Sequence, residues 1–86
     1  MDKIVIADHT IDMEPLKKQS STIKDIGYSI EGRLLVVRFI SGSIYCYSPI
    51  TPHAYRELLD AESVGSYIQR NIVKNKLVNA IKLEAK

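Results

Sequence analysis

A chain of 86 residues with 45% hydrophobic and 26% charged residues is long enough for one globular domain with a thin core. Its single cysteine, Cys46, excludes an internal disulfide framework and a zinc site built from several cysteines. The net charge of +2 is too small to argue for nucleic-acid binding by itself. The charge is uneven, however, because residues 1–15 are acidic and residues 65–86 carry five basic residues against one Glu. That basic end could meet phosphate, or it could be a solvated helix face.

The sequence carries no pattern typical of a membrane protein or a secreted one. No apolar stretch approaches the roughly 20 residues that a membrane span needs. The charged residues Asp2 and Lys3 and the short apolar run at 4–7 do not fit a signal peptide. We therefore predict a cytoplasmic protein with no membrane partner.

The N-terminal segment, residues 1–15, is predicted to be an arm or an added edge strand. Residues 3–7 are β-branched and compact, which favours a short strand, and residues 8–15 resemble a connection. Pro15 disfavours helix at Glu14 and marks the boundary of the main domain, which we place at residues 16–73.

A β-hairpin is predicted in the middle of the chain. Residues 21–28 are compatible with a strand in which Gly27 indicates a bulge or a close backbone approach. Residues 33–40 form the strongest strand pattern, and their nearly continuous apolar character indicates a central strand. A short turn containing Gly42 leads to a returning strand at residues 44–48.

Two helices are predicted to follow. Thr51 is a good N-cap with Pro52 at the first helical position, which predicts a short helix over residues 53–59. Ser63 is a second N-cap, and apolar residues recur every four positions after it, which predicts a long helix to about Leu83. Residues 74–86 would be its helical extension. The fold class is thus α+β, a small antiparallel sheet of three to four strands with a central hairpin, packed by two C-terminal helices.

The order of these features resembles a known family. The matching residues are Ser20, Ser21, Ile23, Ile26, Gly27, Tyr28, Leu34, Val36, Phe39, Gly42, Tyr45, Tyr47, Pro52, Tyr55, Leu58, Ala61, Ser63, Gly65, Tyr67, Asn71 and Ile72. They resemble the KTSC family of short bacterial and phage domains, also found at the C terminus of some lysyl-tRNA synthetases. The chain departs from the family pattern in having Ile68 where Phe is common. The resemblance implies a small domain without a settled activity, for which RNA binding has been suggested.

Enzymatic chemistry is not favoured by the sequence. No HExxH, GxxxxGK[ST], CxxC or GxSxG pattern occurs. Cys46 and His53 could form a nucleophile pair, but a lone cysteine on a strand is more often a small buried hydrophobe. A turn containing Asp8, His9 and Asp12 could hold a metal, although such residues are more often solvated. We predict no catalytic residue, no metal and no cofactor.

Tyr45 and Tyr47 are the first candidate ligand-binding residues. Alternation places them on one face of their strand, opposite Ile44 and Cys46. With Arg33 and Arg38 on the partner strand, exposed tyrosine rings would form a stacking platform for bases. The alternative is that the rings pack under the helices, since the chain has one Phe and no Trp.

The second candidate is the start of the second helix. Small residues there, Ser63, Gly65 and Ser66, would let backbone N–H groups approach an anion, with Arg70 further along. The alternative is an N-cap followed by close packing at Gly65.

These features predict a non-enzymatic binding module for RNA or another nucleotide-type ligand. The alternative is a phage or bacterial interaction or inhibitor protein that acts as a homo-oligomer, for example by sequestering a small phosphate-bearing nucleotide. Self-association would use the apolar residues Val73, Leu77 and Ile81, because a helix needs fewer apolar residues than this to cover a three-stranded sheet.

Overall fold

The computed structural model describes residues 3–6, 8–16 and 20–83. Its strands are β1 (Lys3–Ile6), β2 (His9–Asp12), β3 (Glu14–Pro15), β4 (Ile23–Ser29), β5 (Leu34–Phe39), β6 (Ile44–Ser48) and β7 (Asn79–Leu83). Helix α1 spans Pro52–Asp60, and helix α2 spans Val64–Tyr67 and widens into π-helical turns over Ile68–Val73. Strands β3 to β7 form an antiparallel sheet in the order β3-β4-β5-β6-β7, while β1 and β2 form a separate hairpin. The predicted α+β class is confirmed.

Strand β5 lies at the centre of the five-stranded sheet and is covered on both faces. Leu35 and Val37 belong to the core on the helix side, whereas Val36 belongs to a second core under the β1–β2 hairpin. Two covered faces explain why this strand is apolar at nearly every position, as predicted for a central strand.

The helix-side core is formed by β4, β5, β6 and both helices. Its buried members are Ile23, Ile26, Leu35, Val37, Tyr47, Ile50, Leu58, Val64, Ile68 and Ile72. Helix α1 begins as predicted, with Thr51 Oγ1 accepting the Ala54 N–H at 3.1 Å and Pro52 at the first position. Tyr55 of this helix stacks on Tyr28 of β4 at 4.3 Å, which fixes α1 against the sheet.

The β1–β2 hairpin covers the other face of the sheet. Ile11 and Met13 bury their side chains against Val36 and Cys46. The predicted strand is present at Lys3–Ile6, while Ala7 lies outside the described residues. The predicted connection at residues 8–15 is wrong, because it contains β2 and the two-residue edge strand β3. Ile11 and Met13 are stabilised by packing against residues far away in the chain, and the local residue pattern does not predict such packing.

The central hairpin is confirmed as β5 and β6. Its turn is closed by the Gly42 N–H donating to the Phe39 carbonyl at 2.9 Å, and Gly42 has a φ of 102° that favours glycine. In β4 the pairing register shifts between Ile23 and Asp25, so the bulge lies there. Gly27 is instead a point of close approach, since an added Cβ would lie 2.6 Å from Ile11 Cγ2.

The prediction of a long second helix is wrong, and so is the helical extension over the described residues 74–83. Helix α2 ends at Val73, and Asn75 then forms a turn in which its Oδ1 accepts the Leu77 N–H at 2.9 Å. Strand β7 follows and pairs with β6, with Ile81 opposite Cys46. A neighbouring apolar stripe with a four-residue period, Val73, Leu77 and Ile81, had favoured helix here, but backbone pairing with β6 outweighed it. Residues 84–86 lie outside the described part of the chain.

Across the described ranges, neither α1 nor α2 has the length and apolar character that crossing a membrane requires.

Candidate binding groove

A groove lies where the start of β4, the end of β5 and helix α2 meet. Its volume is about 910 Å³. The lining residues are Ser20, Ser21, Thr22, Phe39, Glu62, Ser63, Val64, Gly65, Ser66, Ile68, Gln69, Arg70 and Lys74. Small-molecule sites in proteins commonly occupy about 300 to 1,000 Å³, so this groove is large enough for a nucleotide-sized ligand.

The loop before β4 forms one wall of the groove. Ser20 Oγ accepts the backbone N–H groups of Thr22 at 3.2 Å and Ile23 at 3.1 Å, which folds the loop back on itself. The Thr22 carbonyl accepts the Ile40 N–H at 2.9 Å and so ties the loop to the end of β5. The hydroxyls of Ser21 and Thr22 belong to exposed residues at the rim.

The first turn of α2 forms the facing wall. Ser63 is the N-cap, as predicted, and its Oγ accepts the Ser66 N–H at 3.2 Å. The Ser63 hydroxyl donates to Ser66 Oγ at 3.1 Å, which leaves the Ser66 hydroxyl hydrogen available to a ligand. Gly65 lies so close to the loop that an added Cβ would be 2.9 Å from Thr22 Oγ1. Ser63 and Gly65 therefore both have structural roles at this helix start.

Positive charge along the groove comes from the end of α2 and the residue that caps it. Arg70 of α2 and Lys74, its C-cap, are exposed and line the groove, whereas Glu62 lies before the helix start. Within the described residues, neither Arg70 nor Lys74 takes part in an ion pair. Both cations are therefore available to an anionic ligand.

The tyrosines of β6 lie on the helix side of the sheet. Tyr47 is only 4% exposed and belongs to the core, and the Tyr45 ring is stacked 6.1 Å from it. Phe39 packs edge-on against Tyr45 at 5.8 Å and also lines the groove. Of the two arrangements considered for these rings, packing under the helices is the one found for Tyr47. Phe39 is the aromatic side chain that lines the groove.

Arg33 and Arg38 do not lie beside the tyrosines. Arg38 pairs across the strands with Ile44, so its side chain is on the hairpin face, where its Nε donates to Asp25 Oδ1 at 2.8 Å. Arg33 is exposed in the turn between β4 and β5, with a positive φ of 53°. Neither residue lines the groove.

Burial raises the pKa values of two tyrosines of this region and of the cysteine thiol. Burial, followed by the neighbouring Tyr45, raises the pKa of Tyr47. Burial also raises the pKa of Tyr67, with further contributions from the hydrogen bond to Glu57 and its charge. The pKa of the Cys46 thiol is raised by burial alone. A raised thiol pKa disfavours the thiolate, which is the nucleophilic form.

The other polar clusters considered in the sequence are separated in space or already paired. Cys46 lies under the hairpin, whereas His53 is exposed on α1 and faces Glu57 at 3.6 Å. His9 Nδ1 lies 3.4 Å from Ser29 Oγ, and Asp12 pairs with Lys3 at 3.6 Å. Within residues 3–6, 8–16 and 20–83, no three His, Cys, Asp or Glu side chains are grouped as metal ligands would be.

The groove combines part of the predicted site with residues that the sequence did not suggest as ligands. Ser63, Gly65, Ser66 and Arg70 all line it, as the second candidate required. Additional lining comes from residues 20–22, Phe39 and Lys74. Alternation along β5 placed Phe39 on the same face as Val37, so this side chain could have been found.

Comparison with known proteins assigns the family. The KTSC domain model matches residues 19–75. The chain belongs to the KTSC domain family. All residues that line the groove fall within the KTSC region, from Ser20 to Lys74.

Two relatives and one solved structure are similar to this chain, and the structure is of a KTSC domain protein. An uncharacterized protein of Stutzerimonas stutzeri is 34% identical over 58 residues, covering 67% of this chain and 82% of the relative. A protein of Tsukamurella paurometabola is 37% identical over 62 residues, covering 72% of this chain and 88% of the relative. The crystal structure of a KTSC domain protein from Yersinia pestis superposes with a TM-score of 0.73 at 27% identity. It covers 86% of this chain and 99% of that one.

Proposed function

We propose that this KTSC domain is a non-enzymatic, cytoplasmic binding module that takes RNA or another nucleotide-type ligand in the groove between residues 20–22 and α2. The observation that carries the proposal is the composition of that groove. It combines Arg70 and Lys74, which have no ion pair among the described residues, with several hydroxyls and the ring of Phe39 in one depression of about 910 Å³.

Each component suits a part of a nucleotide. Arg70 and Lys74 would bind phosphate oxygens, and the exposed hydroxyls of Ser21, Thr22 and Ser66 would donate to phosphate or ribose. Phe39 offers an aromatic side chain against which a base could pack. The excess of cations over Glu62 is small, which suits a ligand with one or two phosphates in the groove.

The test is binding of the full chain to a fluorescently labelled single-stranded RNA at low salt, measured by anisotropy. Simultaneous replacement of Arg70 and Lys74 by Ala should weaken binding by about tenfold or more. It should also reduce the dependence on salt by about two phosphate contacts. The matched control is the double replacement of Arg56 and Lys76, which are exposed and do not line the groove.

The same measurement distinguishes a polymer from a free nucleotide. Unlabelled mono- and dinucleotides should displace the RNA if one groove binds a single nucleotide unit, and only longer RNA should displace it if contacts extend further. The proposal fails if neither RNA nor nucleotides bind at low salt. It also fails if the Arg56 and Lys76 control weakens binding as much as the groove variant.

The alternative function is that of a phage or bacterial interaction or inhibitor protein acting as a homo-oligomer, including one that sequesters a small phosphate-bearing nucleotide. The observation that favours it is the exposure of Val73, Leu77 and Ile81, of which Leu77 is 82% exposed. Isolated exposed apolar residues are common on monomers. For this reason the groove remains the first proposal.

A further inference from the structure

Strand β7 ends the five-stranded sheet with an open edge. It pairs with β6 along five residues, and no described strand lies on its other side. Its first four residues are exposed, and Ile81, at the centre of the five-residue strand, is 56% exposed. An edge of this length presents a row of backbone N–H and C=O groups to any extended strand of matching length.

The opposite edge of the same sheet has a different construction. Strand β3 has only two residues, Glu14 and Pro15, and the proline lacks a backbone N–H. Short edge strands that contain proline are poor templates for pairing. Strand β7 contains no proline and one charged residue, Lys82. Of the two edges of the sheet formed by the described strands, the β7 edge is therefore the one suited to accept another strand.

We infer that β7 is a self-association surface, on which β7 of a second copy of this chain pairs antiparallel to give a continuous ten-stranded sheet. This inference is independent of the proposed RNA or nucleotide binding. A twofold axis perpendicular to the sheet keeps each face on its own side, so paired residues must belong to the same face. Pairing Ile81 with Ile81 of the second copy satisfies this condition and overlaps all five residues.

The charges of β7 also select this register. With Ile81 on the twofold axis, Lys82 lies opposite Ala80 of the second copy, so no like charges face each other directly. Moving the twofold axis by one residue, from Ile81 to Lys82, would place the two lysines opposite each other. The exposed side chain of Ile81 would be covered by its own equivalent, which removes apolar surface from water. Because β3 blocks the other edge, the assembly closes as a dimer and does not extend into a fibre.

The test is sedimentation of the full chain from micromolar to millimolar concentration. The wild-type protein should convert from monomer to dimer, and Ile81→Lys should remain monomeric, because two new lysines would meet on the axis. The matched controls are Ile40→Lys at a residue that is 58% exposed and Val5→Lys on β1, at 70%. Both controls should dimerise as the wild type does, and circular dichroism checks that each variant is folded.

A disulfide experiment tests the register separately. Paired residues of antiparallel strands have Cα atoms about 4.5 to 5.5 Å apart, within the span of about 4.4 to 6.8 Å that a disulfide bridges. Cys46 is paired with residue 81 within the chain and would compete for the new thiol, so both cysteine variants are made in a Cys46→Ala background. There, Ile81→Cys should form a reducible dimer on mild oxidation. Ala80→Cys should not, because its two copies would lie about 8 Å apart. The inference is overturned by a wild-type monomer at all concentrations, by loss of the dimer in a control variant, or by crosslinking of Ala80→Cys in preference to Ile81→Cys.

Discussion

Tyr47 is a core residue whose contribution to the stability of the fold depends on pH. Its ring is buried among helix-side apolar residues, and burial followed by the neighbouring Tyr45 raises the pKa of its phenol. In the unfolded chain the same group ionises near its ordinary value of about 10. The neutral form is therefore favoured by folding.

The pH dependence of stability follows from that shift. Below about pH 10 both states hold the proton and the contribution of Tyr47 is fully present. As the pH rises beyond this value the unfolded state loses the proton first, so the free energy of unfolding falls until the folded-state pKa is passed. Tyr47→Phe should reduce this loss without abolishing it, because the pKa values of Tyr28, Tyr55 and Tyr67 are also raised by burial.

Urea unfolding of the wild type and of Tyr47→Phe at intervals from pH 7 to about pH 11 measures the effect. For each protein the free energy of unfolding is plotted against pH, and the slopes are compared. The difference in unfolding free energy between the two proteins at pH 7 gives the effect of the substitution when Tyr47 is protonated. An unchanged slope above pH 10 would show that ionisation of Tyr47 is not linked to folding.

At the scale of elements, the contact between β2 and β4 depends on the absence of a side chain at Gly27. An added Cβ there would lie 2.6 Å from Ile11 Cγ2, 2.7 Å from the Asp12 carbonyl oxygen and 2.8 Å from Met13 Sδ. The φ angle of Gly27 is not positive, so the backbone itself would accept alanine. The position is glycine because the hairpin lies directly on the strand.

Gly27→Ala should therefore destabilise the protein by about 1 to 3 kcal/mol through steric overlap. Urea unfolding gives this free energy. Combining the change with Ile11→Ala should yield less than the sum of the two single effects, because the nearest overlapping atom is removed. A Gly27→Ala variant as stable as the wild type would mean that the hairpin lies elsewhere in solution.

Helix α2 and strand β7 show a limit of reading elements from sequence. Val64, Ile68 and Ile72 recur every four residues and are all buried under one face of the helix, as the pattern predicted. Leu77 and Ile81 belong to a neighbouring stripe with the same period, which starts at Val73, but they lie in a turn and a strand. The spacing of apolar residues shows which face of a helix or strand is apolar, but not whether the segment is a helix or a strand. Here residues 79–83 form a strand because they pair with the open edge of β6.

On the scale of the whole molecule, the sheet has two cores, one under the helices and one under the N-terminal hairpin. The second core contains Ile11, Met13, Val36 and Cys46, all almost fully buried. The hairpin is therefore part of the stability of the domain, although it precedes the KTSC region at residues 19–75. The boundaries of the predicted segments, 1–15, 16–73 and 74–86, stay predictions, although residues 79–83 are a strand and not part of a helical extension.

Ile11→Ala tests whether the hairpin contributes to global stability. Removing this buried side chain should cost about 2 to 5 kcal/mol, while Val5→Ala at an exposed position of the same hairpin should have little effect. Urea unfolding measures both, and the rate of Cys46 modification by a thiol reagent reports whether the hairpin opens locally. If Ile11→Ala is as stable as the wild type, the hairpin does not contribute to the global free energy of unfolding.

The sequence by itself determined the local features of this protein. Thr51 and Ser63 as N-caps, the Gly42 turn and the facing of Tyr45 and Tyr47 away from Cys46 depend on residues within a few positions of each other. The family followed from the order of such features. Four of the thirteen residues that line the groove, Ser63, Gly65, Ser66 and Arg70, followed in the same way.

Only the tertiary structure decided what lies beside these features. It placed Arg38 with Asp25 on the face opposite Tyr45, joined residues 20–22 and Phe39 to the groove, and turned the predicted end of a helix into β7. Each outcome depends on contacts between residues far apart in the chain. The free energy of such a contact depends on both surfaces that meet, so it cannot be predicted from the sequence of either segment alone.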